Sequence, residues 1–457
     1  MTWDADACRR VHQATLDVLA DPGIDMHHER ARGLLAQAGA QIDGLRVRME
    51  AELVEQALAS APSSFIVKSR GGHEPLLLED GRTYFGTGGD CLYTRDPVTG
   101  ERRRTRIRDI EDLAAVSEKL PNIDFVMSMG LLEDARSDAE LAVFAALLRG
   151  TRKPIVLDPV CEPKTLAKLQ AMAALCGQPD SFIIYAMPNP PLTHSEGALG
   201  RLMGCAELGI PLVYAAGCAP GLTAPCSRSA MVVSANAEVL SGLVVHQLTS
   251  PGAPFVFGGQ HSAVSMRTSS ILYCSPEIFA QQQASIELSR FYGLPSWTFG
   301  GCSDSKALDG QWAAEAAITL SLAALTGCTM VHDVGYLESG LQSSQESVVF
   351  ADEMIGYVRA YLEGVRLDDL DSVVEEIRAV GPGGEHLQRN FTRHHHRRLW
   401  QPTVLDHWMH DHWIADGGRT MLERLTARAR ELQSEPPAFT LEQDVVEQLD
   451  VIVSVST

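Results

Sequence analysis

The sequence predicts an α/β protein: a (β/α)8 TIM barrel with an N-terminal helical or mixed extension and a C-terminal helical extension. Three observations carry that expectation. From residue 83 onward, eight short β-rich runs end in glycine or polar residues: 83–88, 123–129, 154–160, 182–187, 211–216, 254–259, 296–300 and 328–333. Their starts lie roughly 30 to 40 residues apart, which leaves room in each interval for a strand, a loop and a crossover helix. The span they cover is close to the roughly 250 residues of such a barrel. The third observation is negative. A doubly wound open sheet, the runner-up, lacks its GxGxxG fingerprint: Gly86-Thr87-Gly88-Gly89-Asp90 matches in composition only, and no GxxxxGK[ST] loop occurs.

The elements follow in order. Residues 1–80 read as the N-terminal extension. There Val11, Leu16, Val18 and Leu19 recur at helical spacing until Asp21-Pro22-Gly23 breaks the run, 31–38 and 51–61 are further helices, and 64–69 is a short strand. Residues 81–365 hold the barrel. Within them Asp109 is placed to cap a helix over 110–120, with Asp112 in its first turn where the helix dipole favours a carboxylate. Further helices are expected at 166–175, at 311–324, where alanine is abundant, and at 347–362, which is amphipathic. Residues 366–457 form the C-terminal helical extension, expected to pack on the barrel.

Composition narrows the partners. A net charge of −20 argues against nucleic acid or an anionic membrane and suits a cationic ligand or a basic protein. The ten cysteines are scattered without a CxxC pair, as free thiols are in a reducing compartment. Met1 to Asp6 is acidic with no basic segment leading into an apolar one, and no run nears the roughly 18 apolar residues of a membrane span, so a cytoplasmic location is expected.

In a barrel the C-terminal strand ends converge on one face, where loops expose what rigid strands position. Those ends offer Asp90 and Tyr93; Ser128; Asp158; Asn189 and His194; Cys218; Gln260 and His261; Cys302 and Asp304; and His332, Asp333, Tyr336 and Glu338. For the neighbouring Phe257 and Phe299 the plainer reading is barrel packing, whereas Tyr214, Trp297 and Tyr336 are open to a second role. For His332 and Asp333 the plainer reading is a polar pair closing a strand. Aromatic faces beside carboxylates can hold a quaternary ammonium by cation–π and Coulomb attraction. Zinc is the competing idea, because Cys218, His261, Cys302 and His332 are all ligand types. However, no HExxH, no paired cysteines and no short His/Cys spacing occur, so no tightly bound metal is expected. His394-His395-His396, flanked by Arg393, Arg397 and Arg398, reads as solvated surface or a docking patch. No GxSxG elbow supports serine catalysis.

These stretches together carry a resemblance. Gly88-Gly89-Asp90, Asp96-Pro97-Val98-Thr99-Gly100, Pro121-Asn122-Ile123-Asp124, Gly300-Gly301-Cys302-Ser303-Asp304-Ser305-Lys306, His332-Asp333 with Leu337-Glu338-Ser339-Gly340, and Gly381-Pro382-Gly383-Gly384, in that order, resemble the trimethylamine methyltransferase (MttB-like) superfamily. The resemblance runs from the N-terminal helices to the GPGG stretch, after which Glu385-His386-Leu387 departs from the family's more apolar continuation. It implies a (β/α)8 barrel that moves a methyl group from a methylated amine to the Co(I) of a separate corrinoid (cobalamin) protein, without zinc. Archaeal members that act on trimethylamine carry pyrrolysine at the end of a late barrel strand, in the region matching 334–336. This chain has Val334-Gly335-Tyr336 there, and so resembles the non-pyrrolysine branch, which implies a quaternary amine such as glycine betaine, proline betaine or a carnitine-like compound.

On that reading His332, Asp333 and Asp304 are the candidate catalytic residues. Asp90, Tyr93, Gln260, His261, Trp297, Tyr336 and Glu338 are the candidate substrate contacts, and Arg267 or Lys306 would meet a betaine carboxylate. A homo-oligomer is expected. Two other classes stay open: methyl transfer directly to tetrahydrofolate, and a betaine-binding paralogue without catalysis.

Overall fold

In the computed structural model, which describes residues 3–132, 139–158, 163–367 and 369–454, seven of the eight runs are parallel strands of one curled sheet. They are β1 (Tyr84–Phe85), β2 (Ile155–Leu157), β3 (Phe182–Ala186), β4 (Leu212–Ala216), β5 (Phe255–Gly259), β6 (Ser296–Phe299) and β7 (Met330–His332), paired in the order β1-β7-β6-β5-β4-β3-β2. Val160, placed by sequence in the third run, lies outside the described residues.

The alternation of side chains along each strand separates two cores. Val156, Ile183, Tyr185, Val213, Ala215, Val256, Trp297 and Met330 meet in one buried cluster. Their outward neighbours, among them Ile155, Leu157, Ile184, Leu212, Tyr214, Phe255 and Val331, join the larger cluster made with the surrounding helices. Both faces are covered, which is why the runs read as continuously apolar. A hairpin, Phe65–Val67 with Leu76–Leu78, sends Val67, Leu76 and Leu78 into the inner cluster, and Tyr84 at the start of β1 bonds through its hydroxyl to the Leu77 backbone. The strand-start end of the sheet is thereby plugged, and chemistry is left to the other end.

The run 123–129 is the exception. It forms no strand, and joins the sheet only through single bridges, Gly86 to Phe125 and Val126 to Ile155, which place it between the edges β1 and β2. Backbone bonds at those bridges, the Val126 amide to the Pro154 carbonyl and the Val156 amide to the Val126 carbonyl, both at 3.0 Å, are supplemented by side chains. Thr87 Oγ1 accepts from the Met127 amide at 2.7 Å and donates to the Met127 carbonyl, while Asp124 accepts from the Phe85 amide at 2.7 Å and from Arg359 at 2.6 Å. The buried Lys153 ammonium donates to the carbonyls of Ser117, Leu120 and Ile123 at 2.8, 2.6 and 2.6 Å, and so fixes the approach to this segment.

The extension at the N-terminus contains helices Ala5–Ala20, Glu29–Gln37 and Ala51–Ser60. Its strand Ile24–Met26 pairs in parallel with Thr193–His194, which ties it to the loop after β3. The helix expected at 110–120 is Ile107–Glu118 instead. Asp109 is its third residue and reaches back to the Arg106 amide at 2.8 Å, so the first turn begins earlier than a simple cap at Asp109 implies. The remaining expected helices are Pro163–Leu175, Gly310–Leu325 and Gln345–Leu362. Among the described residues one helix, Arg228–Thr249, is long and apolar enough to cross a membrane, and it is mostly buried inside the fold. At the C-terminal end Met421–Ser434 buries Leu425, Ala429 and Leu432, whereas Leu370–Val380, Asn390–His395 and His410–Ala415 bury nothing.

Candidate functional site at the strand ends

The loop leaving β1 is shaped by an absent side chain. A Cβ at Gly88 would lie 2.2 Å from the Tyr336 ring, so glycine there opens the slot that Tyr336 fills. The Tyr336 hydroxyl accepts from the Asp90 amide at 2.9 Å and donates to Asp90 Oδ1 at 2.7 Å. Tyr336 therefore sets the rotamer of the first strand's carboxylate. Asp158, at the end of β2, is the second carboxylate, and Asp333, following β7, is the third. Asp90 and Asp158 keep accessible surface while protein surrounds their carboxyls, as in a concave mouth. Removal from bulk water raises the Asp90 pKa, with Asp333 adding to the rise and the Tyr336 bond opposing it. The same desolvation, helped by Asp90 and Asp333 and resisted by Arg201, pushes Asp158 up to about 7.

Beside these carboxylates is an aromatic wall. His332, at the end of β7, stacks on Trp297 with ring centroids 4.2 Å apart, and Tyr185 of β3 leans on both at 5.8 and 5.3 Å. The Tyr185 hydroxyl donates to Gln260 Oε1 just past β5. His332 Nδ1 lies 2.7 Å from Asp333 Oδ1, yet the contact is not a hydrogen bond, and both His332 ring nitrogens are buried without a hydrogen-bond partner. Trp297 Nε1 is likewise unpartnered. Buried polar atoms are nearly always satisfied, so unpartnered atoms on two stacked rings are unusual. Asp333 adopts φ 64°, a left-handed conformation that costs about 1 kcal/mol or more in a residue with a side chain. The arrangement can hold a compact cation: three carboxylates supply potential, and the rings of Tyr185, Tyr336 and His332, the last backed by Trp297, supply faces.

Known proteins resemble this chain along nearly its whole length. A family model described as Trimethylamine methyltransferase (MTTB) matches residues 1–455. The chain belongs to the trimethylamine methyltransferase family. It is 30% identical over 455 residues to the glycine betaine methyltransferase of Desulfitobacterium hafniense (strain Y51), covering 96% of this chain and 94% of that protein. It is 28% identical over 468 residues to the trimethylamine methyltransferase MttB of Methanosarcina barkeri (strain Fusaro), covering 99% and 94%. Among solved structures, the monomethylamine methyltransferase MtmB of Methanosarcina barkeri superimposes with a TM-score of 0.52 over 95% of this chain and 88% of that one. At 13% identity that match is a likeness of fold.

Within this member of the trimethylamine methyltransferase family, the expected residues divide. Asp90, Gln260, His332, Asp333 and Tyr336 come together at the mouth. The other five have polar groups or faces engaged by neighbouring protein groups. Asp304 accepts from the Tyr273 and Cys274 amides at 2.8 and 3.1 Å and from Ser339 Oγ at 2.8 Å, so it knits two rim loops together. Glu338 holds Arg102 through two bonds of 2.7 and 2.9 Å, and that guanidinium sits 3.2 Å above the Tyr93 ring, which leaves Tyr93 already occupied by a cation. His261 is buried against Ser285 Oγ at 2.7 Å and pushed down to about 4 by burial, hence neutral. Trp297 is fully buried and meets the mouth only through His332. Lys306, expected near a ligand carboxylate, donates to the Asp304 carbonyl at 2.7 Å, and Arg267 is exposed between the strands Ala263–Ser265 and Ser270–Leu272.

The metal-ligand set Cys218, His261, Cys302 and His332 is not assembled. Among the described residues, Cys274, Asp304 and Glu315 have ligand-type atoms within 4.8 Å of one another, but Glu315 already accepts from Ser303 Oγ and the Asp304 amide. Sequence reasoning passed over Tyr185 and Arg201. Tyr185 sits inside an apolar run, and only the period-two alternation through Ile183 and Met187 points it inward. Arg201 is an ordinary helix residue in the sequence.

Proposed function

We propose that this chain transfers an N-methyl group from a quaternary, betaine-type amine to the Co(I) of a corrinoid carried by a second protein. The observation that supports the reading is the convergence of Asp90, Asp158 and Asp333 on an aromatic wall in a chain of net charge −20. A quaternary ammonium satisfies that combination, because it is cationic, has no N–H to donate, and is bounded by methyl groups that pack against rings. The relatives named for glycine betaine and trimethylamine agree in reaction class. With Val334-Gly335-Tyr336 built of standard residues, the quaternary amine is favoured over trimethylamine. On this reading the sheet closes into a full barrel, with residues 125–126 as the eighth stave.

The chain's own work is binding, orientation and exclusion of water. Asp90, fixed by Tyr336, and Asp333 hold the ammonium. Asp158 ionises when a cation arrives, and the Tyr185 and His332 rings keep the N-methyl groups apart from water. Arg201, on helix Glu196–Leu208, has a buried Nε without a partner and lies close enough to Asp158 to influence it, which makes it the group to meet a betaine carboxylate. The acceptor belongs to another protein, so the site needs an open approach, and the accessible surface of Asp90 and Asp158 is consistent with one. In the transfer the carbon–nitrogen bond breaks with its electron pair left on nitrogen, giving a neutral tertiary amine, while the methyl carbon bonds to the electron pair of Co(I). No proton moves in the transfer step itself.

The test is incubation of the protein with reduced cobalamin and a panel of methylated amines, followed by the absorbance of methylcobalamin. Glycine betaine or a related quaternary amine is expected to react and trimethylamine to be inert. Reaction with trimethylamine alone overturns the substrate. Turnover of the quaternary amine with tetrahydrofolate and no corrinoid overturns the acceptor.

A further inference from the structure

Residues 369–399 form an arm whose physical chemistry is unfinished in a single chain. Its helix Leu370–Val380 buries no residue, yet Leu370, Val374 and Ile377 make an apolar stripe at helical spacing, exposed to 52%, 43% and 57%. Leu387 and Leu399, elsewhere in the arm, are exposed to 72% and 66%. Isolated apolar side chains on a surface need no explanation, but a continuous stripe does. The arm is nonetheless ordered within itself, since Arg389 grips Glu376 through bonds of 2.7 and 3.0 Å and the Phe391 and His395 rings stack at 3.9 Å.

Charge specifies what the stripe faces. Residues 386–398 contain Arg389, Arg393, Arg397 and Arg398, four histidines and no acidic residue, in a chain of net charge −20. Among the described residues Arg393, Arg397 and Arg398 take part in no ion pair, and neither do the exposed Asp371 and Glu375 beside the apolar stripe. One arm thus carries an unpaired acidic face beside its apolar stripe and an unpaired basic segment further along. Two arms related by a two-fold axis pair each with the other's complement, as an isologous contact requires.

We propose that the arm is an interface with a second copy of this chain: two arms pack antiparallel, the Leu370, Val374 and Ile377 stripes meet, and Asp371 and Glu375 of each copy lie against the partner's basic segment. This inference is independent of the methyl-transfer reading, because no arm residue belongs to the mouth. The experiment is the mass of the full-length protein in solution at micromolar concentration, by sedimentation equilibrium. Wild type is expected as a dimer or an even multiple. V374D/I377D is expected to raise the dissociation constant by about 30-fold or more, as loss of interface anchors does. R393E/R397E/R398E is expected to weaken self-association similarly, and mixing it with D371K/E375K is expected to restore a mixed dimer. A wild-type monomer overturns the proposal, including one that associates only when a corrinoid protein is added, since that assigns the face to another partner. An unchanged mass for V374D/I377D, or failure of the charge-exchanged pair to associate, overturns it as well.

Discussion

Asp158 is the residue whose state the site controls most closely. With its pKa near 7, about half of the molecules carry the carboxyl protonated at neutral pH, and a bound cation favours the ionised form. Affinity for a quaternary ammonium is therefore expected to weaken as pH falls below 7, approaching roughly tenfold per pH unit where only the ionised form binds. D158N removes that dependence, and its flat profile of KM against pH is the check; a steep profile that survives the substitution assigns the titration elsewhere. The stability linkage has the opposite sense. The folded-state pKa is raised, so the favourable contribution is complete at pH values below the ordinary carboxylate range and is lost as pH rises through about 4 to 7. D158N is thus expected to gain melting temperature relative to wild type at pH 8 more than at pH 4, read by differential scanning calorimetry. Y336F tests the neighbouring carboxylate: without the 2.7 Å donor to Oδ1, Asp90 loses the bond that opposes its raised pKa, so the acidic limb of the activity profile moves to higher pH.

At the scale of elements, Gly88 and Lys153 show where the site depends on the scaffold. G88A puts a methyl group 2.2 Å from the Tyr336 ring, and the ring cannot move without releasing Asp90. A fall of about 100-fold in kcat/KM is expected, as for reacting groups displaced by about an ångström, against a small change in melting temperature. K153M leaves three carbonyls without a donor at the entry to segment 123–126, and is expected to cost roughly 2–4 kcal/mol in chemical denaturation while KM in the surviving folded fraction changes little. These residues also show what the sequence could and could not disclose. Seven strands were legible because buried parallel strands are dense runs of β-formers bounded by glycine. The eighth run was equally apolar, but it keeps two bridges to its neighbours, supplemented by bonds from its own Asp124 and from the distant Thr87 and Lys153, and no local pattern reports that. At the mouth, Asp90, His332, Asp333 and Tyr336 were legible from their place after strands. Glu338, Tyr93 and Asp304 occupy similar places and turn instead to Arg102 and the rim amides, because partner choice is a tertiary fact.

For the whole molecule, the question is how much of cation recognition comes from the three carboxylates and how much from the field of a chain with net charge −20. The two differ in range. Screening shortens from about 10 Å at 0.1 M salt to about 3 Å at 1 M, which suppresses the distant surface charges but barely touches groups a few ångströms from a desolvated ligand. A neutral-headed isostere separates charge from shape: 3,3-dimethylbutyrate has the outline of glycine betaine with carbon in place of the quaternary nitrogen. If Asp90, Asp158 and Asp333 hold the ammonium, glycine betaine binds roughly 100-fold more tightly than this isostere, in line with a partly desolvated ion pair plus cation–π contact. That ratio, measured by isothermal titration calorimetry, is expected to fall by no more than about threefold between 0.1 and 1 M salt, because local pairs survive screening. A ratio near one assigns recognition to shape and dismisses the carboxylates. A ratio that collapses with salt assigns it to the surface field, and the mouth then acts only as a container.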